Sequence, residues 1–200
     1  RQLAVPGAWE VRTRHFEDER GAFLEWHKAS AIEAATGRRL DLAQANCSVS
    51  RAGVVRGIHY ADVPPGQAKH VTCARGAVLD VVVDLRLGSP TFGAWDAVLL
   101  DDASRSAVLI SEGLGHGFVA LEDHSTVLYL CSSEYAPDRE HEIDAFDPEL
   151  GIAWPSADRD GAPLALARSP KDEVAPSLAD ARAAGTLPSW EACMALGVAT

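Results

Sequence analysis

A chain of 200 residues is long enough for one domain with a substantial core, and 47% hydrophobic with 24% charged residues is the composition of an ordinary globular protein. The formal net charge of −11 argues against a nucleic-acid partner, but it leaves room for a small anion held by a few converging arginines. No apolar run approaches the length of a membrane span, the opening RQLAVPGAWEVRTR lacks a signal-peptide pattern, and Cys47, Cys73, Cys131 and Cys193 are scattered with no CxxC pair. The expectation is a cytoplasmic protein with reduced thiols and neither membrane nor nucleic acid as partner.

Taken in order, Trp9–Arg14 alternates weakly as a first strand, and an Asp18-Glu19-Arg20-Gly21 turn leads into Ala22–Trp26. Lys28–Thr36 reads as a short helix ended by Gly37. Leu42–Ser50 is a strand with Gln44 and Asn46 on one face. Three strand-like runs follow, Gly53–Tyr60, Ala68–Ala74 and Ala77–Leu85, divided by Pro64-Pro65-Gly66 and Arg75-Gly76. Gly93–Leu100, Ala107–Ser111, Gly117–Ala120 and Thr126–Ser132 continue the pattern, with turn signals about every eight to twelve residues. From Asp172 the chain turns Ala-rich, and PSLADARAAG and SWEACMALG read as a helical appendage. With no repeat or linker, the expected organisation is a single domain over residues 1–200. Its all-β core would occupy about residues 16–155 and its C-terminal segment residues 156–200.

The run Ala77–Leu85 is the most informative. Its odd positions, Leu79, Val81, Val83 and Leu85, form one apolar face, whereas Val78, Asp80, Val82 and Asp84 mix valines with acids. Such a face suits a polar cavity; acids protecting a sheet edge are the competing explanation. Arg56 and His59 raise a parity problem, because strict alternation puts them on opposite faces. A bulge at Gly57 would resolve it, as would one of the two serving a second subunit. GLGHGF lacks the third glycine of a dinucleotide fingerprint, and no P-loop or GxSxG elbow is present. The seven histidines include neither an HxH pair near His59 nor an HExxH, so no metal site is expected.

The segments GVVRGIHY (53–60), PGQAK (65–69), DVVVDLR (80–86), SPTFG (89–93), GHGF (115–118), Tyr135-Ala136-Pro137, and Asp147-Pro148 through Trp154-Pro155 together resemble the dTDP-4-dehydrorhamnose 3,5-epimerase family. They span about residues 16–172 in matching order. The resemblance implies a cupin-like β jelly roll with short peripheral helices. It also implies a homodimer, no cofactor and no metal. The substrate would be a dTDP-linked 4-keto-6-deoxyhexose, whose ketone acidifies the protons on C3 and C5.

Residue by residue, His59 matches the family's base, and imidazole suits that task because it exchanges protons near neutral pH. Lys69 matches the cation beside the C4 oxygen, Tyr129 the acid on the other side of the ring, and Asp172 the carboxylate that orients the base. Arg20, Glu25, Gln44 and Asn46 match nucleotide-contacting positions. Arg56, His116 and Lys171 match groups around the diphosphate and sugar, where a guanidinium donates in a fixed fork. Tyr135 matches the aromatic that stacks on thymine, and Glu140 a further binding position. Ala61, His70, Ala145-Phe146 and Arg168 depart from the commonest pattern, which is similar to the branch making unusual deoxysugars for natural products. In that branch C3, C5 or both are inverted. A metal-dependent cupin isomerase or dioxygenase, or a non-catalytic sugar-nucleotide-binding jelly roll, are the alternatives.

Overall fold

The computed structural model describes residues 1–197. Two five-stranded antiparallel sheets face each other. The first contains β1 (Ala8–Val11), β4 (Gln44–Ser50), β6 (Lys69–Arg75), β9 (Ala107–Ile110) and β11 (Ser125–Cys131), in the order β1-β9-β6-β11-β4. The second contains β5 (Val55–Ala61), β7 (Ala77–Asp84), β8 (Trp95–Asp101), β10 (Leu114–Ala120) and β12 (Glu140–Glu142), in the order β12-β5-β10-β7-β8. A separate hairpin is formed by β2 (His15–Asp18) and β3 (Gly21–Leu24), closed by the expected turn at residues 18–21. This is the all-β, jelly-roll-like arrangement with few short helices that the family resemblance implied.

Alternation sorts each strand's side chains between two environments. Val71, Cys73, Val108, Ile110 and Val127 from the first sheet meet Val78, Val82, Leu100 and Phe118 from the second, filling one part of the space between them. The opposite face of the second sheet, including Val55, Ile58, Val81, Val83 and Leu85, is covered by the C-terminal chain through Ile143, Leu150, Leu178 and Ala181. Helix α1 (Ala29–Thr36) covers the outer face of the first sheet, where Ile32 packs with Trp9 and Leu109; Gly37 ends it in the left-handed conformation. Helices α2 (Pro170–Glu173), α3 (Leu178–Ala184) and α4 (Trp190–Ala195) make up the expected appendage, and α2 is shorter than any periodicity signal could reveal.

β7 lies between β10 and β8, so its acids do not guard an edge. Only Asp80 serves the cavity, from beneath it through His116; Asp84 is instead locked in a wholly buried pair with Arg86, at 2.8 and 2.7 Å. Ser89 and Thr91 also donate to Asp84, each at 2.6 Å. Burial works to raise its carboxyl, but these donors hold it below the usual range. The same guanidinium donates to the Pro6 carbonyl at 2.8 Å and stacks on Trp190 at 4.6 Å, joining both ends of the chain to β7.

The Arg56–His59 parity problem is solved by a bulge. Across the β5–β10 ladder His59 pairs with His116 and Arg56 with Phe118, so two residues of β5 oppose one of β10. Gly57 has φ +111°, and a Cβ there would lie 2.6 Å from the His116 carbonyl oxygen and 2.7 Å from the Cα of Gly117. Gly57→Ala therefore combines backbone strain with a collision against backbone. It should destabilise the protein by about 1–3 kcal/mol and depress turnover with it. An unchanged denaturation midpoint would show that the bulge does not depend on glycine.

Candidate active site

Beside the apolar filling, the two sheets diverge around a cleft of about 440 Å³. The second sheet supplies Arg56, His59, His116 and Phe118; the first supplies Gln44, Asn46, Ser48, Lys69, Tyr129 and Cys131; Gln67, Tyr135 and Glu140 complete the rim. His59 and Tyr129 thus approach the cavity from opposite sheets.

His59 is held from a distant part of the sequence. Its Nε2 lies 2.9 Å from Asp172 Oδ1, with the carboxylate buried and the imidazole about one-third exposed. Asp172 is delivered by α2, which Ser169 caps: its Oγ accepts the Asp172 N–H and donates to Asp172 Oδ2 at 2.8 Å. Burial alone would raise the Asp172 carboxyl, yet the bonds from His59 and Ser169 hold it below the usual range. Below the cleft, His116 Nε2 meets Asp80 Oδ2 at 2.8 Å, both groups buried.

On the first sheet, Lys69 and Cys131 are cross-strand neighbours, and burial pushes the Lys69 ammonium below the usual lysine range. Burial likewise drives the Tyr129 phenol upward, against the opposing bond from Ser48. The phenol is therefore a protonated donor throughout the neutral range. Its ring contacts His116 and Phe118 edge-on or tilted, with centroids 6.2 and 6.4 Å away. Tyr135 sits at the mouth, 56% exposed, and its backbone N–H donates to Gln44.

Three expected contacts do not line this cleft. Arg20 is at the hairpin tip, paired with Asp18 of its own turn, and Glu25 pairs with Lys28 at 3.1 Å along a separate groove beside α1. Lys171 lies next to Asp172 but pairs with Glu142 at 3.0 Å. His70 points away from the cleft: its Nε2 bonds the Trp26 carbonyl at 3.1 Å, and burial pushes its imidazole down to about 4. Two other departures from the family pattern explain each other, since Arg168 stacks on Phe146 at 4.7 Å while bonding Asp144. Ser48, Gln67, Phe118 and Cys131 line the cleft although the family pattern did not single them out, and Asp80, on the face that suited a polar cavity, supports it through His116. Ser48 was within reach of sequence reasoning, as the next inward position after Gln44 and Asn46.

Among the described residues, no three His, Cys, Asp or Glu side chains converge as a metal-binding group, and no helix is long and apolar enough to cross a membrane. What the cleft does offer is an oriented imidazole, a desolvated ammonium and a protonated phenol around one small-molecule cavity. That is equipment for moving protons on and off carbon next to a carbonyl.

The comparisons agree. The dTDP-4-dehydrorhamnose 3,5-epimerase family profile matches residues 2–180, and the chain belongs to that family. It is 56% identical over 191 residues to the dTDP-4-dehydrorhamnose 3,5-epimerase of Mycobacterium tuberculosis, covering 96% of this chain and 93% of that one. It is 54% identical over 198 residues to a dTDP-4-dehydrorhamnose 3-epimerase of Streptomyces niveus, covering 99% and 92%. A solved Mycobacterium tuberculosis epimerase superposes with a TM-score of 0.93 at 55% identity, covering 98% of this chain and 96% of that one.

The Asp172 arrangement has a consequence for stability in acid. A folded carboxyl that ionises below an unfolded aspartate adds stability in full above the ordinary range, about pH 4, and loses it as the pH falls through the folded-state value. Asp172→Asn should flatten that part of the stability–pH curve. Parallel curves for the two proteins below about pH 4 would mean that the carboxylate is not held by His59 and Ser169.

Proposed function

We propose that this chain epimerises a dTDP-linked 4-keto-6-deoxyhexose, removing the C3 proton first, with His59 as base and Tyr129 as acid. The carrying observation is the His59–Asp172 pair on one side of the cleft with Tyr129 on the other and Lys69 beside it. His59 takes the proton from the carbon next to the ketone, and the electron pair of the broken C–H bond moves into the enolate. Asp172 accepts the imidazole's other hydrogen bond, fixing its orientation and stabilising the imidazolium. Lys69 faces the C4 oxygen, where negative charge grows, in a desolvated position that strengthens the attraction. Tyr129 then gives its proton to the carbon from the opposite face, and configuration is inverted. Each such group contributes typically ~10²–10⁴-fold. Arg56, His116 and Lys171 serve the diphosphate and sugar, Tyr135 stacks on the base, and Gln44, Asn46 and Glu140 complete the binding site.

We further propose that the working form is a homodimer in which the β2–β3 hairpin reaches the partner's cleft. Phe16 and Phe23 on that hairpin are 45% and 66% exposed, and β4 ends its sheet with Val49 exposed. In such a dimer Arg20 and Glu25 serve the partner's cleft rather than their own.

Two experiments test these readings. In D₂O, wild type should place deuterium at C3 of the 4-keto substrate by NMR, and His59→Ala should abolish that exchange while still binding dTDP. Label at C5 alone would overturn the C3 assignment, and residual exchange in the variant would move the base elsewhere. Separately, mixing Arg20→Ala with His59→Ala subunits should restore activity, because one cleft of a mixed dimer would then be intact. Mixtures no more active than the parent variants would place Arg20 outside the partner's site.

A further inference from the structure

β4 turns an alternating row of polar side chains toward the cleft, and each is bonded to a different part of it. Gln44 accepts the Tyr135 backbone N–H at 2.9 Å and donates to Asn46 at 2.7 Å. Ser50 accepts from Arg56 Nε at 3.1 Å. Ser48 Oγ lies 3.0 Å from Tyr129 Oη. Tyr129 pairs directly with Asn46 across the β4–β11 ladder, so Ser48 is its diagonal neighbour on the same face, at the distance a tyrosine can span.

We propose that Ser48 is a positioning residue for Tyr129: its hydroxyl donates to the phenol oxygen and thereby leaves the phenolic proton free for the substrate carbon. The inference rests on the reading of Tyr129 as the acid. Two hydroxyls in contact can share their bond in either direction. If the phenol donated to Ser48, its proton would be engaged by that hydroxyl and unavailable to the enolate. With Ser48 as donor, the phenolic O–H points inward. As that bond breaks and the new C–H bond forms, the charge growing on Oη is already met by the Ser48 hydroxyl. A hydrogen bond to a charged acceptor is stronger than one to a neutral acceptor, so the contact favours the transition state for protonation over the resting enzyme. His116 and Phe118 fix the plane of the Tyr129 ring; Ser48 acts on its oxygen.

A weakened acid leaves a distinctive signature. The enolate still forms through His59, but it is more often reprotonated by that same imidazole, so solvent hydrogen enters without inversion. The test follows, by NMR in D₂O, deuterium in recovered uninverted substrate against formation of inverted product. Ser48→Ala should raise the ratio of exchange to inversion about tenfold, Ser48→Thr should stay near wild type, and Tyr129→Phe should exchange with inversion nearly lost. A wild-type ratio in Ser48→Ala, or an equal fall of exchange and inversion, would overturn the role of Ser48 while the Tyr129→Phe result stands. So would a Ser48→Thr ratio as high as that of Ser48→Ala. Normal inversion by Tyr129→Phe would overturn the reading of the acid itself. If Ser48→Ala does not fold, Ser48→Cys, close in size and a weak donor, gives the same comparison.

Discussion

The cleft depends on how closely β5 and β10 approach at Gly57 and Gly117. Each glycine occupies space that a side chain on the other would need: a Cβ on Gly57 would meet the His116 carbonyl, and one on Gly117 would lie 2.7 Å from the Arg56 carbonyl. The tight crossing accommodates one extra residue of β5, and that residue changes the parity of the strand. Before it, Val55 packs outward and Arg56 points inward; after it, Ile58 and Tyr60 pack outward and His59 points inward. One misfit in the ladder thus lets a cation and an imidazole share a cavity while the outer face of the strand remains continuously apolar.

The electrostatic arrangement follows from where the acids are placed. Asp172 and Asp80 each meet one histidine of the cleft, and each lies at or below the surface that a ligand would touch. Asp84, two residues along the same face as Asp80, is fully satisfied by Arg86, Ser89 and Thr91. A chain with a net charge of −11 can therefore still present an anion with Arg56, Lys69 and two histidines, because the carboxylates behind those histidines are engaged by partners and Glu140 is the one acid lining the cleft among the described residues.

Much of this was legible in the sequence. Period-two alternation located most long strands of both sheets within a residue or two, although β10 begins three residues before the expected Gly117, and Gly37 marked the end of α1 correctly. The parity conflict between Arg56 and His59 left a bulge at Gly57 or a second subunit's site as its two solutions, and the β5–β10 ladder carries the bulge. Three residues of β12 and four of α2 were too short to carry a periodic signal, although Ser169-Pro170-Lys171-Asp172 contains the cap that forms α2. Asp80 and Asp84 could not be told apart, because alternation reports a face and not which neighbour waits on it. Arg20 and Glu25 fitted the family pattern, yet in one chain they bond within their own hairpin and to Lys28. Spacing along a sequence does not say which copy of a chain completes a site.

β4 occupies an unusual position in this economy. The apolar clusters draw on β1, β5 to β11 and the C-terminal chain, while β4 turns Gln44, Asn46, Ser48 and Ser50 toward the cleft and leaves Ala45, Cys47 and Val49 exposed. Its place in the sheet is held by backbone bonds to β11, which are indifferent to side-chain identity. Folding and recognition are therefore more separable on this strand than on β10, where His116 and Phe118 line the cleft from a strand that is otherwise packed into the interior. Substitution along β4 can change one wall of the cleft while leaving the packed core unaltered. A jelly roll built this way can reshape its cavity through a single edge strand.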